Sequence, residues 1–368
     1  MSPITSIEIY GYGLTYAHGE YAMSKGRTAT QQQSTLVRIR TADGLEGWGE
    51  SSTLAGTYLP AFTEATREGI RVMAPALIGQ DATNLAVIHR IMASILLEQN
   101  AAKSAIDIAC WDILGKKAGL PIARMIGGIA QPDFPLYEAV PLADPEAMAE
   151  FVQTRRETGV NRWQVKVGND PYDDARRLTE VLAICDDKAV IVADSNGGWT
   201  LPQAMQAVRL CEDMDIFLEQ PCRDTADCAL VKRNTRLPLS MDESVTNAAE
   251  LYRAKYDANA CALNIKLARV GGISGAVTMR NMAQDLGFSM CIEDVWGGDV
   301  TTAAVAHVAA STRPEALMHA AFFNDWTVEK VASKGIRSER GTGRVTEAPG
   351  LGIEIDMAAL GAPLAEIA

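Results

Sequence analysis

From about residue 133 the chain lays out eight short apolar runs separated by turns and amphipathic segments. The runs are "FPLYEAVPL", "RWQVKVG", "AVIVADSN", "IFLEQP", "LPLSMDES", "ACALNIKLA", "FSMCIED" and "ALMHAAF". Segments such as "DDARRLTEVLAICDD" and "LPQAMQAVRLCEDM" lie between them with helical periodicity. Strands alternating with helices form parallel βαβ units, and eight such strands are the number that closes a barrel. An open doubly wound sheet is the alternative, but no GxGxxG follows any strand. The expected fold is therefore α/β, a modified TIM barrel of the form (β/α)7β spanning 126–330.

Residues 1–125 read differently. "ITSIEIYGYGL" and "STLVRIRTADGLEGWGE" resemble meander strands, and "ADG" is a turn signal. Helical segments follow, among them "AAKSAIDIACWDILGKKAG". There Ile106, Ala109, Cys110, Ile113 and Leu114 form one apolar stripe, ended by Gly119 and Pro121. This is expected to be an α+β capping domain. The Gly/Pro-rich tail, 331–368, is too short to fold alone and is expected to return to the cap. Two polar loops, 18–32 and 51–61, could cover a barrel mouth.

Composition removes several classes. A net charge of −12 argues against nucleic acid as a partner. No apolar run reaches the length of a membrane span, and the N-terminus lacks a signal-peptide pattern, so a cytoplasmic location is expected. Seven scattered cysteines without a CxxC pair suggest buried free thiols, and four histidines make a His-rich metal site improbable.

Charged residues end six successive strands: Lys166, Asp194, Glu219, Asp242, Lys266 and Glu293, at steps of 28, 25, 23, 24 and 27 residues. Side chains alternate along a strand. In "QVKV" the valines face one way, and Gln164 and Lys166 face the other. The same alternation turns all six charges into the barrel at its C-terminal mouth, where barrel enzymes place their chemistry. Asp194, Glu219 and Asp242 then form an all-oxygen ligand set suited to Mg2+. Each carboxylate alone could be a solvated loop residue or a helix cap. Three in register would repel one another without a cation.

Lys166 and Lys266 flank that set. Either could be a salt-bridge partner of a neighbouring carboxylate. Together they could take and give protons on opposite faces of one carbon. A nearby divalent cation, and each other's charge, are expected to lower their pKa values toward neutrality. The chemistry implied is removal of a proton α to a carboxylate, with Mg2+ stabilising the enediolate.

The run "VKVG … VADSNGGWT … FLEQPC … MDES … NIKLARVGGI" resembles the muconate lactonising subgroup of the enolase superfamily, among the mandelate racemase-like enzymes. That superfamily uses a Lys or His base with Mg2+. The resemblance implies Asp194, Glu219 and Asp242 as metal ligands and Lys166 and Lys266 as the acid/base pair. It also implies substrate selection by the two cap loops and a homo-oligomer. The family often has Lys-x-Lys on the second strand, and here Gln164 stands first. "CIEDVWGGD" after the seventh strand excludes a His–Asp base.

"IEDVWGGDVTTAAVAHVA", with "YAMSKGR" and "YLPA", resembles a branch acting on proline derivatives. The resemblance implies a small amino or imino acid substrate contacted by Gln164, Glu293, Asp294, Trp296, Tyr58 and Asn196. Glu293 would pair with a cationic ring nitrogen, or else form a structural ion pair with Lys266. Trp296 could equally be barrel packing. At the eighth strand Ala321, with Phe322 beside it, aligns where the betaine epimerases of the branch hold a quaternary ammonium on an aromatic ring. The expected reaction is dehydration of cis-3-hydroxy-L-proline, with Lys166 as base and Lys266 as acid. Epimerisation of a 4-hydroxyproline betaine is the alternative, a dipeptide epimerase or cycloisomerase the broader one. A metabolite-binding barrel without catalysis would need no lysine pair.

Overall fold

A computed structural model describes residues 1–54, 56, 58 and 60–368. Ala55, Thr57 and Leu59, in the second of the two expected cap loops, lie outside the described residues.

Strands β1 (Ile4–Thr15), β2 (Gln31–Thr41) and β3 (Glu46–Ser52) form an antiparallel meander. Its alternation sends Ile7, Ile9, Val37 and Ile39 to one face, and Tyr10, Leu36 and Trp48 to the other. The first face packs on α1 (Thr63–Leu77), α2 (Leu85–Ile95) and α3 (Asn100–Ala118), and the second joins the barrel core. Gly119 ends α3 in the left-handed region at φ 68°, as the sequence signal implies. The contact of α3 with β3 is backbone-close. A Cβ on Gly49 would lie 1.8 Å from the Ala105 carbonyl oxygen, so only glycine fits there.

The barrel strands are β4 (Glu138–Val140), β5 (Arg162–Lys166), β6 (Val190–Asp194), β7 (Phe217–Glu219), β8 (Leu239–Met241), β9 (Ala262–Lys266), β10 (Ser289–Glu293) and β11 (Leu317–Ala320). All neighbours pair in parallel and in chain order. A parallel bridge from Leu136 to Ala320 joins the last strand back to the first. Seven helices alternate with the strands: α4 (Pro145–Arg156), α5 (Pro171–Ile184), α6 (Leu201–Cys211), α7 (Thr225–Lys232), α8 (Ala248–Tyr256), α9 (Ile273–Asp285) and α10 (Asp299–Ala310). This is the (β/α)7β barrel expected from the eight-fold pattern. The outward residues Trp163, Val165, Leu263 and Ile265 are buried in the core between strands and helices. Strand β12 (Ala365–Ile367) of the tail pairs antiparallel with Ile7–Ile9 in the cap. All seven cysteines are free thiols. Among the described residues no helix is long and apolar enough to cross a membrane.

Buried carboxylates fasten the cap to the barrel. Glu50 on β3 accepts the Gly298 and Thr301 N–H groups at the start of α10, both at 2.9 Å, together with the Tyr12 and Ser34 hydroxyls. A carboxylate belongs at that positive end of a helix. Asp107 on α3 accepts the Ser274 hydroxyl at 2.6 Å and the Ser274 N–H at 3.1 Å at the start of α9. It also contacts His89 Nε2 at 2.6 Å.

That hydrogen bond holds the His89 imidazolium, about a third exposed, above its ordinary value of 6.5. A raised folded-state value stabilises the fold below about pH 6.5, and the contribution is lost as pH climbs through the folded value. Denaturant midpoints of wild type and His89→Gln should therefore differ more at pH 5.5 than at pH 9. A difference that does not change with pH would contradict this role.

Candidate active site

The inward positions of the strands meet at the barrel's C-terminal mouth, as the alternation requires. Lys166, Asp194 and Glu219 stand in register across β5, β6 and β7, and Lys266 is in register with Glu293 across β9 and β10. Asp242 follows β8 directly. All six charged side chains are buried. Lys166 and Lys266 sit four strands apart around an eight-stranded barrel, hence on opposite walls. Both line one small, closely packed cavity.

A ring of hydrogen bonds runs between the two lysines. Lys166 Nζ donates to Asp194 Oδ2 at 2.5 Å and to Gln164 Oε1 at 2.7 Å. Gln164 Nε2 donates to Glu219 Oε1 at 3.0 Å. Asn264 Nδ2 bridges Glu219 at 3.0 Å and Glu293 at 2.8 Å. Lys266 Nζ closes the circuit at 3.4 Å from Glu293, 3.1 Å from Asp242 and 2.8 Å from the Tyr58 hydroxyl. Tyr58 in turn donates to Asp242 Oδ2 at 2.9 Å, and Arg269 Nη1 donates to Asp242 Oδ1 at 2.6 Å.

Burial alone would lower the Lys166 ammonium, but Asp194, Tyr21 and Glu219 raise it above its ordinary value. Lys266 is likewise pulled down by burial and pushed well up by Asp242 and Glu293. Without a cation at the rim, the carboxylates around each lysine outweigh the repulsion between the two ammoniums. Contact with carboxylates outweighs desolvation.

The carboxylates divide sharply. Burial pushes Asp242 up, yet Arg269 and Lys266 hold it below its ordinary value. Burial, then the neighbouring Asp194 and Asp242, push Glu219 well above its own. Among the described residues no three side chains stand ready-made in coordination geometry, because lysine, arginine and amide donors occupy their oxygens. The donor set nonetheless fits a hard divalent cation: three carboxylates crowd one buried spot with positive charge lacking at Glu219. Two acceptors beside them, Asn196 Oδ1 and Glu243 Oε2, have no hydrogen-bond partner among the described residues.

The remaining expected contacts are distributed as follows. Asn196, in the left-handed region at φ 47°, donates Nδ2 to Asp194 at 2.8 Å and to Glu243 at 3.0 Å. Asp294 lines the cavity, but its Oδ1 accepts the Ala268 and Val295 N–H groups, and burial pushes its carboxyl up to about 7. Trp296 lines the cavity too, packed against Tyr21, Phe323 and Trp326, and its indole N–H has no partner among the described residues. Glu293 lines the cavity and ion-pairs with Lys266.

Several residues of the site are absent from the expected set. Tyr137 donates its hydroxyl to Glu293, and Asn264 supports two carboxylates. Asn264 precedes Lys266 by two and shares its face, so alternation could have found it. Ala321 is buried in the aromatic cluster, and Phe322 turns away onto Phe134. Phe323 and Trp326, on the turn beyond β11, line the cavity instead. An aromatic surface for a cation is therefore present at this end, against the expectation drawn from Ala321.

Residues 147–359 match the family model described as enolase C-terminal domain-like, and residues 17–127 match the mandelate racemase/muconate lactonizing enzyme N-terminal domain. The chain is 37% identical over 98% of its length, and 99% of the relative's, to a cis-3-hydroxy-L-proline dehydratase of Roseibium aggregatum. It is 31% identical to an N-succinyl-L-Arg/Lys racemase of Bacillus cereus, covering 84% of this chain and 85% of the relative. A structure described as a mandelate racemase/muconate lactonizing enzyme of Roseovarius nubinhibens ISM, complexed with magnesium, superposes with a TM-score of 0.96 at 32% identity over 100% of both chains. The paired lysines, the carboxylate rim and these likenesses agree: the chain belongs to the mandelate racemase/muconate lactonizing enzyme family of the enolase superfamily.

Proposed function

We propose that the protein removes water from cis-3-hydroxy-L-proline, with Mg2+ as cofactor. The observation that carries this reading is the pair of buried lysines on opposite walls of one small cavity. The likeness to the Roseibium dehydratase over nearly the whole chain supports the choice of substrate.

Mg2+ held by Asp194, Glu219 and Asp242 would supply positive charge to the substrate carboxylate as negative charge builds there. In cis-3-hydroxy-L-proline the hydroxyl lies on the carboxylate's side of the ring, so the α-hydrogen is on the opposite face. Loss of water is then anti, and it needs a base on one face and an acid on the other. Lys166 takes the α-proton, and that electron pair forms the Cα–C3 double bond. The C3–O bond breaks as Lys266 protonates the leaving hydroxyl. The enamine released gains a proton at C3, loses one from nitrogen, and becomes Δ1-pyrroline-2-carboxylate.

The environments support this division of labour. Lys266 contacts two carboxylates, Asp242 and Glu293, whereas Lys166 contacts one, Asp194. The first is better held as an acid, and the second would be freed to act as a base once a bound cation draws Asp194 and Glu219 away from it. Glu293, kept in place by Asn264 and Tyr137, would take the ring ammonium. The aromatic lining from Tyr21, Trp296, Phe323 and Trp326 favours a second reading, 2-epimerisation of a proline betaine whose quaternary ammonium rests on those rings.

Incubation with cis-3-hydroxy-L-proline should yield one equivalent of the cyclic imine, and Lys166→Ala or Lys266→Ala should cost several orders of magnitude in rate. Epimerisation of 4-hydroxyproline betaine with no loss of water from cis-3-hydroxy-L-proline would put the second reading in its place.

Glu293→Gln should raise KM and lower kcat/KM by the equivalent of about 1.5–3 kcal/mol, the size of a hydrogen bond to a charged group. Unchanged kinetics would make Glu293 purely structural.

A further inference from the structure

A second pocket of ≈ 620 Å³ adjoins the catalytic cavity, and Tyr58 and Asn196 line both. Two cationic side chains, Lys25 and Arg27, meet there on one turn, Asn196–Gly197, and Arg223 lines the same pocket. Lys25 Nζ lies 3.4 Å from the Gly197 carbonyl oxygen, and Arg27 Nη2 donates to the Asn196 carbonyl at 3.2 Å. The Arg223 backbone packs against Gly197, where an added Cβ would come within 3.1 Å of the Arg223 Cα. Both turn residues lie in the left-handed region, at φ 47° and 61°.

The partners of these cations are neutral: the two carbonyls, the Ser24 carbonyl and the Ser24 hydroxyl. Among the described residues none of the three is ion-paired, in a chain with 46 acidic and 34 basic residues. Lys25 and Arg223 are exposed, and Arg27 is half-buried. The acidic side chain lining this pocket is Glu243, whose Oε1 accepts from Asn196. Three unpaired cations within a screening length of one another make a local well for an anion.

We propose that this pocket is an antechamber that binds the substrate's carboxylate before it reaches the catalytic cavity. The inference rests on the reading of the substrate as a small carboxylate. The position of the cations argues for orientation. They surround the turn that follows Asp194, on the side of the candidate metal ligands, whereas Glu293 and Tyr137 lie beyond in the inner cavity. A zwitterionic amino acid approaching this way is turned carboxylate-first toward the ligand side, leaving its ammonium for Glu293. The same group of cations admits small oxyanions, so sulfate serves as a probe.

The test uses Lys25→Gln/Arg223→Gln, which spares Arg27 because that side chain also ties down the 18–32 loop. Sodium sulfate should raise KM for cis-3-hydroxy-L-proline more than sodium chloride does at equal ionic strength, with kcat unchanged. The double variant should show KM raised at least fivefold, kcat within twofold of wild type, and no specific effect of sulfate. Lys25→Arg/Arg223→Lys should behave as wild type. Calorimetric titration with sulfate gives a readout independent of turnover: wild type should bind it and the double variant should not. If wild type binds sulfate but does not act on the hydroxyproline, the antechamber stands and the substrate reading falls. Equal effects of sulfate and chloride, or sulfate binding retained in the double variant, would overturn the antechamber.

Discussion

Three carboxylates buried at neighbouring strand ends set the terms for everything around them. Charges so placed repel strongly where water is scarce, and the barrel answers with cations and amides aimed at each oxygen. The answer is uneven. Asp242 receives both Arg269 and Lys266, and Asp194 receives Lys166. Glu219, between them on the sheet, receives among the described residues only the side-chain amides of Gln164 and Asn264. The protein's own positive charge therefore falls short at the middle of the trio, where a bound cation would neutralise most.

The cap is built to serve this rim. Glu50 anchors the start of α10, directly after the loop that carries Trp296. Asp299, the first residue of that helix, accepts the Val331 and Ala332 N–H groups at 2.8 and 2.9 Å and so fixes the tail to it. The 18–32 loop lays Tyr21 and Met23 over the cavity, held by the Ser24 hydroxyl on the Ser195 carbonyl and by Asn169 on the Lys25 N–H. These ties exclude water from a site whose ion pairs depend on a low dielectric.

The rim was legible in the sequence because two periods coincide there. Strand alternation has a period of two, and one βα unit takes about 25 residues, so Lys166, Asp194, Glu219, Asp242, Lys266 and Glu293 could be placed from spacing alone. What lies beyond the strand ends obeys neither period. Arg269 comes from the helical turn after β9, and Phe323 and Trp326 from the turn after β11, so the alignment settled on Ala321 and Phe322. The lysines were expected to be acidified by each other and by a cation. Their balance without a cation depends on distances of about 3 Å to carboxylates, which no spacing rule supplies.

Calorimetric titration of the chelator-treated protein with Mg2+ tests the central claim most directly, because it reads the demand for positive charge at the rim without any substrate. The account predicts one saturable site per chain, weakened at least tenfold by Glu219→Gln with the fold retained by circular dichroism. Absence of saturable binding, or equal affinity in wild type and Glu219→Gln, would contradict it.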